Sequence, residues 1–203
     1  GKYKEAHNLI GQKFLSRPLR QMCYQPVGDL LLSFPIEGVA SDYRRDLDLE
    51  TAVSRVQYKA NGVTWTREVF ASVPEQAIVV RISTDQPGRV SFTASMNSPQ
   101  KHTIEAAAPD LLVLRGTNGD CQGIKGALTY EARVKIRTDG GKAELDGSKI
   151  KVSDANSVTL LIVAATSYVN WKDVSGDPSA RTQKYLADIG DKPYEQIRKN
   201  HLA

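Results

Sequence analysis

The stretch "VTLLIVAA" (158–165) is almost continuously apolar, and Thr159 is its one polar residue. "AIVVRI" (77–82) has the same character, interrupted only by Arg81. A strand with one face in water alternates apolar and polar residues, whereas a strand covered on both faces does not. The two stretches therefore predict two strands in the middle of a sheet, packed against another layer.

The residues around these stretches follow a two-residue period. Between 126 and 138, apolar residues at even positions alternate with Thr129, Glu131, Arg133, Lys135 and Arg137, which predicts a strand with one face on a core and one in water. We expect a core between two sheets that contains the following side chains: Leu128, Tyr130, Val134, Ile136, Val79, Ile82, Leu161 and Val163.

Turn signals divide the rest into some ten short strands. Asn61-Gly62 predicts a tight hairpin with a type I′ turn, because both central residues need a positive φ. Along 47–58 the apolar phase slips from odd to even positions, which predicts a β-bulge or a strand bend near Ser54-Arg55. The pattern is typical of a mostly all-β chain that folds as a two-sheet antiparallel β-sandwich.

Both ends of the chain have a helical period instead. Apolar residues at steps of three and four predict a helix over 2–15, ended by Pro18. Near the other end, Asp177 is expected to cap a helix that Gly190 ends, and Pro193 to start another. We therefore divide the chain into an N-terminal helix (1–19), a β-sandwich domain (20–170) and a helical linker (171–203).

Composition excludes several classes of protein. The 203 residues are 40% hydrophobic and 25% charged, which indicates a globular chain. The net charge of +4 is spread along the sequence without the clusters that nucleic-acid binding requires. The longest apolar run is far shorter than a membrane span, and no signal peptide opens the chain. Cys23 and Cys121 allow one disulfide, although two buried thiols are favoured.

A search for catalytic or metal-binding motifs finds none. His7, His102 and His201 stand alone, so neither a metal site nor a cofactor is expected. The Gly-rich stretch at 115–126 matches no phosphate-binding motif and is interpreted as a flexible connection between strands. Carboxylates are plentiful, but the sequence does not show that any two of them face each other as a glycosidase requires.

Aromatic and amide side chains at the ends of strands are the remaining candidates. Tyr24 and Gln25 precede Gly28 and an apolar run, and Trp171 follows the last predicted strand. Such side chains can stack on a sugar or pack against a partner domain. We select Tyr24, Gln25 and Trp171 as substrate-binding or domain-interface candidates. Trp65 is a further aromatic candidate, with filling of the core as its alternative role.

Three ordered motifs resemble the N-terminal β-domain of the α-L-fucosidases of glycoside hydrolase family 95. They are "YQPVGDLLLSF" (24–34), "YRRDLDLETAV" (43–53) and "VTWTREVFASVPEQAIVVRIS" (63–83), and the segment 165–203 resembles the family's linker. The resemblance implies a supersandwich that is incomplete relative to the family, and a helical (α/α)6 barrel as the partner in the same parent chain.

The resemblance places the acid and base of the family's inverting mechanism in that barrel, so no residue here is identified as catalytic. It implies a glycan substrate with terminal α-L-fucosyl or α-L-galactosyl groups, and a periplasmic or extracellular location. The alternatives are a stand-alone carbohydrate-binding module and a purely structural β-sandwich.

Overall fold

The computed structural model describes residues 1–15, 24–35 and 38–203, and this part of the chain is mostly β-structure. It contains three helices: α1 (Tyr3–Lys13), α2 (Pro178–Ile189) and α3 (Tyr194–His201). It contains twelve strands: β1 (Asp29–Ser33), β2 (Ser41–Asp48), β3 (Val53–Ala60), β4 (Val63–Ser72), β5 (Ala77–Thr84), β6 (Val90–Asn97), β7 (Lys101–Ala108), β8 (Leu111–Thr117), β9 (Thr129–Asp139), β10 (Lys142–Asp146), β11 (Lys149–Ala155) and β12 (Ser157–Thr166).

The strands form two antiparallel sheets, so the predicted fold class is confirmed. The small sheet has the order β1-β6-β11-β10, and the large sheet has the order β2-β3-β4-β5-β12-β9-β8-β7. The two continuously apolar stretches form β5 and β12, which are neighbours in the middle of the large sheet, as predicted. We call the face of the large sheet toward the small sheet its inner face, and the opposite face its outer face.

The main core lies between the inner face and the small sheet. Ile82, Tyr130, Val134 and Ile136 are buried in it, which confirms the prediction for these four residues. Phe92 and Ile150 enter the same core from the small sheet. Leu128 lies just before β9 and is only partly buried.

A second core lies on the outer face, under α2 and α3. Val79, Leu161 and Val163 are fully buried there, together with Ile189 and Ile197 from the two helices. The prediction that these three strand residues lie between two sheets is therefore wrong. Alternate residues of β5 and β12 point to opposite faces, so the continuous apolar run supplies one core on each side.

The polar side of β9 is also covered by α2, in contrast to the prediction that it faces water. Glu131 is only 1% exposed and Arg133 is buried beside it. Arg133 Nε donates to Glu131 Oε1 at 2.7 Å, and Arg115 Nε donates to Glu131 Oε2 at 2.7 Å. The Thr182 hydroxyl, on α2, donates to the same carboxylate. A fully hydrogen-bonded ion pair of this kind can stay buried.

Further polar contacts hold the ends of the two C-terminal helices. Arg137 on β9 donates to the carbonyl oxygens of Gly190 and Lys192, where α2 ends. In α3, the Tyr194 hydroxyl donates to Glu68 at 2.9 Å, and Asn200 Nδ2 donates to Glu75 at 2.8 Å. The helices of the predicted linker thus pack on the large sheet along their length, while the domain limits themselves stay a prediction.

The predicted helix signals are present at both ends of α2. The Asp177 carboxylate accepts hydrogen bonds from the backbone of Ser179 and Ala180, and Gly190 follows the helix with φ of 54°. Pro193 precedes α3. α1 has no buried residue, and Pro18, which was expected to end it, lies outside the described residues.

The Asn61-Gly62 hairpin is confirmed, with φ of 51° and 74° at the two residues. The bulge predicted near Ser54-Arg55 is wrong, because β2 and β3 are separate strands joined by a turn at 49–52. Leu47 pairs with Ser54 across this hairpin, so an odd and an even residue share one face. The reversal of the chain explains why Leu47 and Val56 differ in phase, whereas Val53 differs from Val56 because it points to the outer face, into the second core.

We predict that Glu131→Gln lowers the free energy of unfolding by about 3 kcal/mol at pH 7, because two arginines lose their buried counter-charge. Burial alone would raise the pKa of Glu131, but hydrogen bonds from Thr182 and Arg133 and the nearby arginine charges lower it overall. This stabilisation is complete above the unfolded pKa of about 4.3 and is lost as pH falls through the lowered pKa.

Urea unfolding between pH 2.5 and 7 measures both effects. As pH falls, the free energy of unfolding of the Glu131→Gln chain should decrease less steeply than that of the unsubstituted chain. Glu105→Gln is the matched control, because Glu105 also binds Arg115 but is exposed, and it should change stability by less than about 1 kcal/mol. Equal effects of the two substitutions would contradict the role given to burial.

We also predict that a chain ended after residue 170 loses cooperative thermal unfolding and binds a hydrophobic dye. Its outer face would expose Val79, Leu161 and Val163 to water. Removing residues 1–15 is the control, because α1 buries no residue, and it should leave Tm within about 2 °C. A cooperative transition in the chain that ends after residue 170 would contradict this prediction and would support a linker that is independent of the sandwich.

Candidate functional site

The candidate site is a cleft at the end of the sandwich where β8 and β12 end and β9 begins. Residues 24–28 cross this end before the chain enters β1. The cleft has a volume of about 420 Å³, which is large enough for a small ligand or for inserted side chains of a partner. Its lining residues are Tyr24, Gln25, Pro26, Val27, Gln100, Asn118, Leu128, Tyr130 and Thr166.

Gln25 connects the two walls of the cleft by hydrogen bonds. Its Nε2 donates to the Gly119 carbonyl at 3.1 Å, and its Oε1 accepts from the Gly119 backbone N–H at 2.6 Å. Gln100 Oε1 accepts from the same N–H at 3.0 Å. The amide of Gln25 is thus engaged on both sides, so its contribution to the site is to hold the position of Tyr24 and Pro26.

The Gly-rich stretch connects β8 to β9, as expected, and hydrogen bonds close it into a loop. The Asn118 backbone N–H donates to the Leu128 carbonyl at 2.9 Å, and the Leu128 N–H donates to Asn118 Oδ1 at 2.8 Å. Cys121 is buried in this loop. Cys23 lies outside the described residues, so their pairing is not tested.

Tyr130 forms the floor of the cleft. Its hydroxyl hydrogen-bonds with Ser98 Oγ at 2.9 Å, and its ring lies directly over Gly116. A Cβ atom at Gly116 would lie 2.3 Å from the ring, so this glycine is required by packing. The interpretation of the Gly-rich stretch as a connection missed this contact, because the sequence does not show which ring crosses the glycine.

Tyr24 and Trp171 both present their rings to solvent. Tyr24 is 92% exposed at the rim of the cleft, and Trp171 is 81% exposed in the loop that follows β12. Lys172 Nζ lies 4.4 Å from the centroid of the Trp171 ring. Trp171 lies five residues beyond Thr166, a lining residue, but it is not itself part of the lining. The structure thus brings Tyr24 and Gln25 into one cleft and places Trp171 outside it.

The loop that carries Trp171 is anchored by backbone contacts. Arg181 Nη1, on α2, donates to the Thr166 carbonyl at 2.7 Å and the Tyr168 carbonyl at 2.8 Å. Asn170 and Asp173 exchange backbone hydrogen bonds across the turn. An exposed aromatic side chain on an anchored loop is a typical feature of a binding surface.

The other residues considered from the sequence have structural positions. Trp65 is buried in the main core, so of its two alternative roles the structure supports the filling of the core. His102 Nδ1 lies 2.7 Å from the Gln100 carbonyl, and His201 stacks on Phe70 with ring centroids 4.5 Å apart. Within residues 1–15, 24–35 and 38–203, no group of three or more His, Cys, Asp or Glu side chains could hold a metal ion. No helix in these ranges is long and apolar enough to cross a membrane.

Sequence reasoning did not assign Gln100, Asn118 and Tyr130 to the cleft, nor Ser98, which hydrogen-bonds with Tyr130. Ser98 and Gln100 lie in the connection between β6 and β7, Asn118 follows β8 and Tyr130 lies in β9, so the fold of the sheets brings them together. Asn118, next to Gly119, carried the one local signal, because Asn-Gly pairs mark turns.

Comparison with known proteins identifies the kind of domain. A family model described as "Glycosyl hydrolase family 65, N-terminal domain" matches residues 1–171. "Alpha-L-fucosidase 2" of Arabidopsis thaliana is 30% identical over 207 residues, covering 88% of this chain and 24% of the relative. "Probable alpha-fucosidase A" of Aspergillus oryzae is 25% identical over 187 residues, covering 84% of this chain and 25% of the relative.

A solved structure, "Putative kojibiose phosphorylase from human microbiome", has a TM-score of 0.52 and 8% identity. The aligned region covers 83% of this chain and 24% of the phosphorylase chain. At 8% identity, the likeness shows the fold alone.

The resemblance to an N-terminal fucosidase domain is confirmed by the relatives that carry fucosidase names. The matching family model is that of glycosyl hydrolase family 65, whereas the motifs resemble family 95. Both describe a domain of a glycoside hydrolase. The chain spans about a quarter of the length of the relatives that it matches. It belongs to the family of glycosyl hydrolase family 65 N-terminal domains.

Proposed function

We propose that the chain is the non-catalytic N-terminal domain of an inverting glycoside hydrolase that removes terminal α-L-fucosyl or related α-L-galactosyl groups from glycans. The observation that carries this proposal is the match to relatives named fucosidases over 84–88% of the chain. The match covers about a quarter of each relative, which leaves most of the relative for a catalytic domain.

The proposed task of the domain is to support a helical catalytic barrel in the same polypeptide and to shape the rim of its sugar site. The cleft end of the sandwich suits this task, because Tyr24 and Trp171 are exposed while the segments around them are anchored. Aromatic rings can stack on sugar rings or pack at a domain interface. The proposed location of the enzyme is periplasmic or extracellular.

The second candidate is a stand-alone carbohydrate-binding module, and the exposed Tyr24 ring beside a cleft of about 420 Å³ favours it. Titration with L-fucose, L-galactose and fucosylated oligosaccharides separates the two. Saturable binding at millimolar or lower concentration favours a carbohydrate-binding module. The absence of binding favours a domain that supports a catalytic unit.

We predict that the 203-residue chain does not hydrolyse an activated aryl α-L-fucoside. An inverting glycosidase needs an acid and a base with carboxyl groups roughly 6.5–9.5 Å apart across the sugar. Among the residues that the structure describes, the two most buried carboxylates are those of Glu75 and Glu131, and both are occupied by hydrogen bonds and ion pairs. Turnover that survives repurification and is abolished by Glu131→Gln in a chain that still folds would contradict the proposal.

In the natural full-length enzyme, we predict that Tyr24→Ala and Trp171→Ala each lower kcat/KM by about 5- to 30-fold, corresponding to about 1–2 kcal/mol of lost contact. In the 203-residue chain both side chains are exposed, so the same substitutions should leave Tm unchanged within about 2 °C. Activity assays and thermal unfolding measure the two effects.

Tyr3→Ala is the matched control, because Tyr3 is an equally exposed aromatic residue on α1, away from the cleft lining. It should leave kcat/KM within about twofold. If all three substitutions have the same effect on activity, the cleft end is not the functional surface.

A further inference from the structure

A cavity of about 550 Å³ lies on the outer face of the large sheet, at the end of the sandwich opposite the cleft. β9 ends and β12 begins at this end, where Asp139 pairs with Ser157. The connection between α2 and α3 forms the other wall of the cavity. A volume of this size lies within the range of small-molecule sites. We call this space the far cavity.

Two arginines stand on the sheet at the bottom of the far cavity. Arg81 on β5 and Arg137 on β9 lie on either side of Thr159 on β12, in one row across the outer face. Arg81 Nη1 donates to the buried Thr159 hydroxyl at 2.7 Å, and the Arg81 guanidinium lies 5.0 Å from the centroid of the Tyr194 ring. Glu68 is next to Arg81 in the row, but it accepts a hydrogen bond from the Tyr194 hydroxyl at 2.9 Å.

The charge of Arg137 is compensated only in part. Its guanidinium donates to the backbone carbonyls of Gly190 and Lys192. Burial lowers the pKa of Arg137 below its ordinary value, although the charges of Asp191 and Asp110 act in the opposite direction. A carbonyl oxygen carries only a partial charge, so an anion in the far cavity would add a stabilisation that these contacts do not supply.

Both guanidinium groups keep donors for a ligand. Within the described residues, neither Arg81 nor Arg137 forms an ion pair, whereas the other two cations of the lining, Lys135 and Lys192, have carboxylate partners at 2.5 and 3.7 Å. A guanidinium has five N–H groups. Arg81 uses one of them, and Arg137 uses two, in contacts with described residues. The bottom of the far cavity can therefore bind an anion.

The rim of the far cavity has the opposite charge. Asp139, Asp191 and Glu195 belong to its lining and are exposed to solvent. A dianion such as sulfate would have to pass these three negative charges, which disfavours its entry. Carboxylate oxygens accept hydrogen bonds from hydroxyl groups, so the same side chains suit the outer part of a ligand that carries hydroxyls. The cavity thus fits a ligand with one carboxylate and several hydroxyl groups.

We propose that the far cavity binds a hexuronate, a sugar unit with a carboxylate at C6, as part of a glycan. The sugar carboxylate binds the Arg81 and Arg137 guanidinium groups above Thr159, and the ring hydroxyls donate to the exposed carboxylates of the rim. Neighbouring strands lie about 4.8 Å apart, so the two arginine Cα atoms are roughly 10 Å apart and both side chains can reach one carboxylate between them.

This site goes beyond the proposed function, because it lies at the opposite end of the domain from the cleft. It would hold an acidic glycan by a unit other than the one that the enzyme removes. A small carboxylate such as acetate lacks the contacts with the rim, and a neutral sugar lacks the contacts with the arginines. The two halves of the site can therefore be tested separately.

Isothermal titration of the 203-residue chain tests the proposal with methyl α-D-galacturonide and methyl β-D-glucuronide. At least one of them should bind saturably at millimolar or lower concentration. The matching neutral galactoside and glucoside, acetate and sulfate should each bind at least about tenfold more weakly than that uronide. No saturable binding of either uronide would overturn the proposal. Equal binding of acetate or sulfate would indicate a general anion site and would also overturn it.

Substitution locates the binding. Arg81→Gln should weaken uronide binding by at least about tenfold, because charge-assisted hydrogen bonds are lost. Arg55→Gln is the matched control, because Arg55 is an exposed arginine in the same row of the outer face but not in the cavity lining, and it should leave Kd within about twofold. Equal effects of the two substitutions would contradict the assignment.

A second measurement needs no substitution and covers the case that Arg81→Gln does not fold. The side-chain Nε–H NMR signals of Arg81 and Arg137 should both shift in proportion to saturation with the uronide. Binding without a shift of either signal would overturn the proposal.

The natural full-length enzyme separates this proposal from the proposed function. Uronide binding should persist there, and Arg81→Gln should leave kcat/KM for an activated aryl α-L-fucoside within about twofold. An enzyme that binds the uronide without cleaving fucosides would contradict the proposed function alone. If the 203-residue chain binds the uronide and the full-length enzyme does not, another part of the polypeptide fills the far cavity, which would overturn the present proposal.

Discussion

The two-sided burial of β5 and β12 is the constraint on which the rest of the structure depends. Their alternate side chains need an apolar partner layer on each face, because both faces of these strands carry mostly apolar side chains, and burying apolar surface is favourable. The small sheet supplies one layer, and α2 and α3 supply the other. The outer core also explains why polar residues of β9 are buried, since α2 must cross β9 to cover β12.

The outer layer is positioned by charge as well as by apolar contact. Glu131 receives hydrogen bonds from two strands and from α2, while Arg137 contacts the carbonyls at the end of the same helix. Apolar packing alone permits a helix to slide along a sheet, whereas these contacts are satisfied in one position only. The position of α2 on the outer face is therefore fixed.

Several features of the fold could be predicted because they depend on neighbouring residues. The Asn61-Gly62 hairpin, the Asp177 cap and the central position of "VTLLIVAA" all follow from local backbone and periodicity rules. The second core could not be predicted, because a continuous apolar run does not specify which layer covers each face. The cleft could not be predicted either, because Gln25 and Gly119 are 94 residues apart in sequence and nothing in the sequence around Gln25 indicates this contact. Gln25 was selected for its position beside an aromatic residue, and its contact with Gly119 is a finding of the structure.

The pairing of β5 with β12 has a consequence for the order of events during synthesis. Ser83 pairs with Ser157, so the strand that completes the centre of the large sheet leaves the ribosome long after β5. Until then the hairpins of β2 to β5 end in an open, strongly apolar edge. Pairings between distant segments form slowly, and such edges invite aggregation while they wait. A cell that makes this domain should therefore need a chaperone most during the interval in which β6 to β11 are being translated.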